Sequence, residues 1–123
     1  MPKWTEQQRD AIADRGHSLI VCAAAGSGKT KVLVERLFSY VEREGANLDD
    51  FLIITYTRAA ASELRGKISA ELSRRLAANP LNWHLQRQLT RIHLAQISTV
   101  HAFCAAMLRR YCTLRDLPPD FRV

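Results

Sequence analysis

No apolar run in this chain of 123 residues is long enough to cross a bilayer. The longest, Leu19 to Ala25, falls far short of the roughly 20 residues that a membrane-spanning helix needs. The opening MPKWTEQQRD has no apolar signal core, so a cytoplasmic protein with no membrane partner is expected. Cysteine is scarce: Cys22, Cys104 and Cys112 form no C-x-x-C pair and leave one thiol over. That argues against a disulfide framework or a zinc site and for buried free thiols. His17, His84 and His93 show no metal-ligand spacing and are assigned no chemistry. Internal repeats and low-complexity stretches are absent as well. What remains, with 47% hydrophobic and 24% charged residues, is an ordinary globular composition of one domain or part of one.

Acidic residues are also few where the chain is most basic. The net charge is +6, but residues 1–57 carry seven Lys/Arg against eight Asp/Glu, while residues 58–123 carry eleven against four. A one-sided excess of this kind fits a polyanionic partner such as nucleic acid, or else a solvated basic face. Charge alone does not choose between the two.

The most informative stretch is Ser18 to Thr30, SLIVCAAAGSGKT. Set against G-x-x-x-x-G-K-[ST], Ala23 stands in the first glycine position, Ala24, Ala25, Gly26 and Ser27 fill the gap, and Gly28-Lys29-Thr30 complete a phosphate-binding loop. Gly26 and Gly28 permit turns that a Cβ would forbid, so that backbone N–H groups and the start of the next helix face a polyphosphate. Lys29 is placed to reach the outer phosphates of ATP and the Thr30 hydroxyl to ligate Mg²⁺. The plainer alternative is a glycine-rich strand-to-helix turn with no ligand. Context favours the loop, because a β-type run, Leu19 to Cys22, precedes it and an amphipathic helix follows.

Along the rest of the chain, Thr5 and Gln8 form the N-terminal signature of a first helix that Gly16 ends. Gln8 is thus a capping residue or, through its paired donor and acceptor, a reader of adenine. Val34, Leu37, Phe38 and Val41 predict a helix from Lys29 to Glu44, stopped by Gly45. Phe51 to Tyr56 reads as a parallel strand buried on both faces. Thr57 then caps a helix with Leu64, Ile68 and Leu72 on its buried stripe, ending at Asn79-Pro80. A further helix over 82–94 is expected to bury Leu85, Leu89 and Ile92 and to leave Arg87 and Arg91 on the surface. Ala95 to Thr99 forms a third strand, and the last helix is expected to align Val100, Phe103, Met107, Tyr111 and Leu114, with Phe103 mainly in the core. Pro118-Pro119 closes it before a strand start at Phe121 to Val123.

The pattern is α/β, a parallel sheet of the phosphate-loop class with helices on both faces. Hydrolysis in this class needs an acid after a later strand to hold Mg²⁺ and prepare water. The second strand ends in Thr57-Arg58 and the third in Val100-His101, while Asp49 and Asp50 precede their strand. The hydrolytic half is therefore expected to lie outside these residues, with Leu19 to Cys22 left poorly paired and the chain prone to self-association.

Four segments in order resemble one family. WTEQQRDAI is similar to the adenine-reading Q motif, AAAGSGKT to the Walker A loop, ITYTRAAASELRGKI to motif Ia and ISTVHAFC to motif Ic of superfamily 1 helicases of the UvrD and RecB kind. The spacing and the tail LRDLPPDFRV look most like the helicase/nuclease branch of the AddA type, from the bacterial AddAB double-strand-break repair enzymes. The resemblance implies a RecA-like fold over residues 1–123, as an incomplete first lobe stopping before the Walker B strand. It implies ATP and Mg²⁺ as cofactors, with Gln8 on adenine, Ala23 to Thr30 around the phosphates and Lys29 and Thr30 in catalytic roles. Single-stranded DNA would meet Thr57, Arg58, Thr99 and His101, and the implied partners are DNA ends and a second nuclease subunit. Arg58 departs from the Asn common at its position. A small phosphate-loop kinase and an isolated nucleotide- or DNA-binding module are the competing readings.

Overall fold

The computed structural model describes residues 3–22 and 28–111. Helix α1, Glu6–Ala13, starts as a reciprocal cap: Thr5 Oγ1 accepts from the Gln8 N–H at 3.2 Å, and Gln8 Oε1 accepts from the Thr5 N–H at 2.9 Å. Such a cap contributes about 0.5–2 kcal/mol. The helix ends at Ala13, three residues before the glycine expected to stop it. Helix α2, Lys29–Glu44, has the predicted bounds and terminates at Gly45, whose φ of +70° a side chain would resist. Strand β1, Leu52–Thr55, leads to α3, Arg58–Ala78, then α4, Trp83–Arg91, strand β2, Gln96–Thr99, and α5, Val100–Arg110. The strands pair in parallel with Ile53 opposite Ile97 and Thr55 opposite Thr99. A parallel pair needs a crossover, which α3 and α4 provide.

The main core joins Leu37, Phe38 and Val41 of α2 to Leu64, Ile68 and Leu72 of α3, with Leu48, Leu85 and Ile97. Both predicted stripes are therefore buried as expected. Between them Arg75 of α3 reaches Glu35 and Glu42 of α2 and Glu71 of its own helix, with its guanidinium 4.8 Å from the centre of the Phe38 ring. Hydrogen bonding from Arg74, opposed by burial and helped by Arg75, holds the Glu71 carboxyl below its ordinary 4.5. A bond from Arg91 likewise lowers Asp49 from 3.8. A carboxyl depressed in the folded state stabilises it above the unfolded value and loses that contribution as pH falls through the folded one. The melting temperature is therefore expected to be flat between about pH 7 and 5 and to drop below about pH 4, less steeply in Glu71→Gln. A melt that is independent of pH down to about 3 would contradict this.

Several expectations change. Residues 18–22 form no strand, and the side chains of Leu19, Ile20 and Val21 are exposed, Ile20 by 87%. Among the described residues the sheet has two strands, paired with each other, and this run pairs with the free edge of neither. β1 is not buried on both faces: Ile53 packs on the core, whereas Leu52 and Ile54 point outward, 47% and 43% exposed. The main core thus covers one face of the pair. In α4 the buried stripe is Leu85 and Gln88, and Leu89 is exposed; a 3-10 turn replaces its last residues, 92–94. Gln88 is buried because its carboxamide is fully used, accepting from the Leu48 N–H at 2.8 Å and donating to Asn47 Oδ1 at 3.0 Å. An orphaned Leu48 N–H would cost about 1–3 kcal/mol.

Helix α5 buries only Ala105; Val100, Met107 and Tyr111 are exposed and Phe103 half-buried, so among the described residues the expected apolar face has no second layer to pack on. The thiols of Cys22 and Cys104 are exposed, contrary to expectation. Arg91 lies on the surface but pairs with Asp49. Cys112, Leu114, Pro118-Pro119 and the strand start at Phe121 lie outside the described residues. No helix among the described residues is long and apolar enough to cross a membrane.

Candidate nucleotide and nucleic-acid sites

Four of the five described helices begin with a side-chain cap, from Thr5, Thr57, Asn82 and Thr99. Helix α2 differs. Its N-cap is Gly28, at φ +86° and ψ +24°, and its first turn holds no acid. The orphan N–H groups of that turn, with the positive end of a 16-residue helix, have neither a capping oxygen from Gly28 nor a carboxylate in sequence to neutralise them. An anion is the group this arrangement suits. Lys29 and Thr30 occupy the first two helical positions and are both exposed.

The α1 cap reaches the same place. A Cβ built on Gly28 would stand 3.7 Å from Nε2 of Gln8, so the Gln8 carboxamide borders the last loop glycine. The two readings of Gln8 are compatible, since capping uses its Oε1 and turns Nε2 toward α2. Alongside lies a cleft of about 530 Å³ between α2 and α3, lined by Trp4, Thr30, Lys31, Val34, Lys67 and Arg74 among others. Trp4 packs on Ala11, Ile12 and Val32, which pins α1 to the first turn of α2. The exposed Lys29 amine and Thr30 hydroxyl, with a glycine cap between them and Gln8, form a donor set that fits a Mg²⁺-bound nucleoside triphosphate. Ala23, Ala24, Ala25, Gly26 and Ser27 lie outside the described residues.

The second site stands at the C-terminal ends of β1 and β2. Each strand passes into a helix through a threonine cap: Thr57 Oγ1 accepts from the Ala60 N–H at 3.0 Å, and Thr99 Oγ1 from the Ala102 N–H at 3.1 Å. Thr55 Oγ1 further donates to the Thr57 carbonyl at 3.0 Å. Because Thr55 and Thr99 are direct partners in the sheet, α3 and α5 start side by side. Between them opens a cleft of about 700 Å³ lined by Tyr56, Arg58, Thr99, His101, Ala105 and Arg109, together with Ala102. Arg58, Thr99 and His101 are thus brought together as the motifs imply, whereas Thr57 does not line the cleft and serves as a cap. Among the described residues the lining has no carboxylate. No residue lining this cleft belongs to the nucleotide end, so the two candidate sites are separate.

Trp4, Tyr56 and Arg109 were not among the residues expected from sequence. Arg109 had a signal, since it lies two helical turns beyond His101 on α5. Trp4 and Tyr56 had none beyond being aromatic residues beside a helix cap.

Comparison with known proteins places the chain in a family. Residues 4–123 match the model of the UvrD/REP helicase N-terminal domain. The chain is 48% identical to the A subunit of the ATP-dependent helicase/nuclease of Geobacillus thermodenitrificans over 123 residues, covering 98% of this chain and 10% of the relative. It is 46% identical to the protein of the same description from Thermoanaerobacter sp., covering 98% and 10%, and 43% identical to that of Oceanobacillus iheyensis, covering 100% and 10%. The chain thus spans about a tenth of the length of these relatives. With a family model matched over nearly all its residues, the chain belongs to the UvrD/REP helicase N-terminal domain family.

Proposed function

We propose that residues 1–123 form the N-terminal, incomplete part of the first RecA-like lobe of an ATP-dependent DNA helicase of the AddA helicase/nuclease type. The observation that carries this reading is the start of α2, where a helix end with a glycine N-cap, exposed Lys29 and Thr30 and the Gln8 carboxamide converge on Gly28. Bound ATP with Mg²⁺ would supply the free energy of phosphate-bond cleavage to a complete enzyme. The chain's own residues bind and orient. Lys29 would neutralise the outer phosphates, Thr30 would offer its hydroxyl to the metal and Gln8 would contact the adenine edge, while Ala23 to Ser27, the rest of the loop sequence, lie outside the described residues.

The cleft between α3 and α5 holds the backbone of single-stranded DNA through Arg58 and His101, with Thr57 and Thr99 fixing the helix starts that present them. In the parent protein the setting is cytoplasmic DNA repair at double-strand ends beside a second nuclease subunit. The relatives' description as the A subunit of a helicase/nuclease supports that assembly. Exposed Ile20, Val21, Leu52 and Ile54 support self-association of the isolated chain. Neither β1 nor β2 is followed by an acid, which supports weak ATP and DNA binding without hydrolysis.

Arg58 tests the DNA part. Phosphate contacts position a strand without reading it, so binding to oligo(dT) should be salt-sensitive and tolerant of sequence. Arg58→Ala should weaken it and lower the slope of log affinity against log salt by roughly 0.7, the value of one contact on a single strand. Unchanged affinity and slope would return this face to a solvated basic surface.

A further inference from the structure

The cleft between α3 and α5 is longer than the two motif residues at its mouth require. His101, Ala105 and Arg109 all line it, and they follow one another at i, i+4 and i+8 along α5. One continuous helix face therefore forms a wall, with an imidazole at one end and a guanidinium at the other. At 1.5 Å per residue, Arg109 stands about 12 Å along the helix axis from His101. Phosphates on one strand of a duplex are about 3.4 Å apart along the axis, and a more extended single strand spaces them further, so about 12 Å covers at least two phosphates. A single small anion could not meet both ends of that wall.

Among the described residues, the lining between His101 and Arg109 is uncharged. Ala102 and Ala105 keep the α5 wall low, and Arg58 stands on the α3 side. Among the described residues no carboxylate lines the cleft to repel an entering phosphate. Arg110, the next residue, faces elsewhere: it lines a separate hollow of about 250 Å³ with Arg65 and Phe103, and its guanidinium lies 5.7 Å from the Tyr111 ring centre. Two adjacent arginines of equal formal charge thus have different surroundings.

We propose that Arg109 is a second phosphate anchor, extending the single-strand track from Arg58 and His101 along α5 for two helical turns. The inference rests on the DNA-binding reading of the cleft and adds to it a residue and a direction. A guanidinium suits the role, since it stays charged and can present two parallel N–H donors to one phosphate. A strand long enough to pass from Arg58 to Arg109 gains from both, while a very short one occupies the mouth alone.

The test uses the 123-residue chain and oligo(dT) of about 3 and about 12 nucleotides, a range bracketing the small site sizes of single-strand binders. For the longer oligomer, Arg109→Ala is expected to weaken binding and lower the log–log salt slope by roughly 0.7, with Arg109→Lys restoring the slope and Arg110→Ala leaving it unchanged. For the shorter oligomer Arg109→Ala should have little effect. The inference is overturned if Arg109→Ala leaves the slope for the longer oligomer unchanged, or if Arg110→Ala lowers it equally, which would mark a diffuse cationic surface. If Arg58→Ala behaves as expected in either case, the DNA-binding reading survives without the anchor. A wild-type chain that binds neither oligomer overturns both.

Discussion

Lys29→Ala is expected to abolish most of the affinity of this chain for ATP, whereas Arg43→Ala, at the other end of the same helix, leaves it intact. The two changes remove one cation each from α2, so their difference measures position and not net charge. At the first helical position the ammonium acts together with the orphan N–H groups behind Gly28, where phosphate charge would concentrate. A hydrogen bond to a charged partner contributes about 1.5–3 kcal/mol, so the loss should be on the order of 10- to 100-fold in affinity. Arg43 in the last turn complements the opposite, negative end of the helix and faces no such ligand. Titration of a fluorescent ATP analogue against the three proteins reads this directly. Equal affinity in Lys29→Ala and the wild type would mean that the Gly28 turn carries no phosphate.

Local signals in the sequence were legible where one physical cause dominates. Thr5 with Gln8 predicts a reciprocal cap, Val34, Leu37, Phe38 and Val41 predict one buried face, and Gly45 predicts a left-handed stop; each depends only on neighbours within a turn or two. Pairing and layering depend on distant partners. The run Leu19 to Cys22 has the composition of a buried strand, yet strand formation needs another backbone to complete its hydrogen bonds, and among the described residues this run pairs with neither β1 nor β2. The same cause explains β1. Its sequence Leu52-Ile53-Ile54-Thr55 is apolar on both sides, but only the side of Ile53 meets the core.

In α4 apolarity misled, because Leu89 looks like a core residue and Gln88 does not. Gln88 wins the interior since its amide meets the Leu48 N–H and Asn47 at once, partners that lie 40 and 41 residues away in sequence. The candidate sites divide along the same line. Arg58 and His101 could be named only through the resemblance of their segments to motifs Ia and Ic, and the sheet register brings them together. That Thr57 is a cap outside the cleft, and that Arg109 stands inside it, emerges only from the packing of α5 beside α3.

On the proposed reading, this chain holds ATP and single-stranded DNA at two separate places and has no acid at the end of either described strand to hydrolyse the nucleotide. The sequence after β1 is Tyr56-Thr57-Arg58 and after β2 is Val100-His101, so neither strand end offers a carboxylate to hold Mg²⁺ against water. The most direct measurement is phosphate release from the chain saturated with both ATP and oligo(dT), with occupancy of each followed in the same sample. The expected result is simultaneous binding, no displacement of one ligand by the other, and turnover at least about 10³-fold below the roughly 10 per second of a typical enzyme. Turnover near that rate and stimulated by DNA would contradict the absence of a hydrolytic acid, and stoichiometric displacement of DNA by ATP would contradict the two sites.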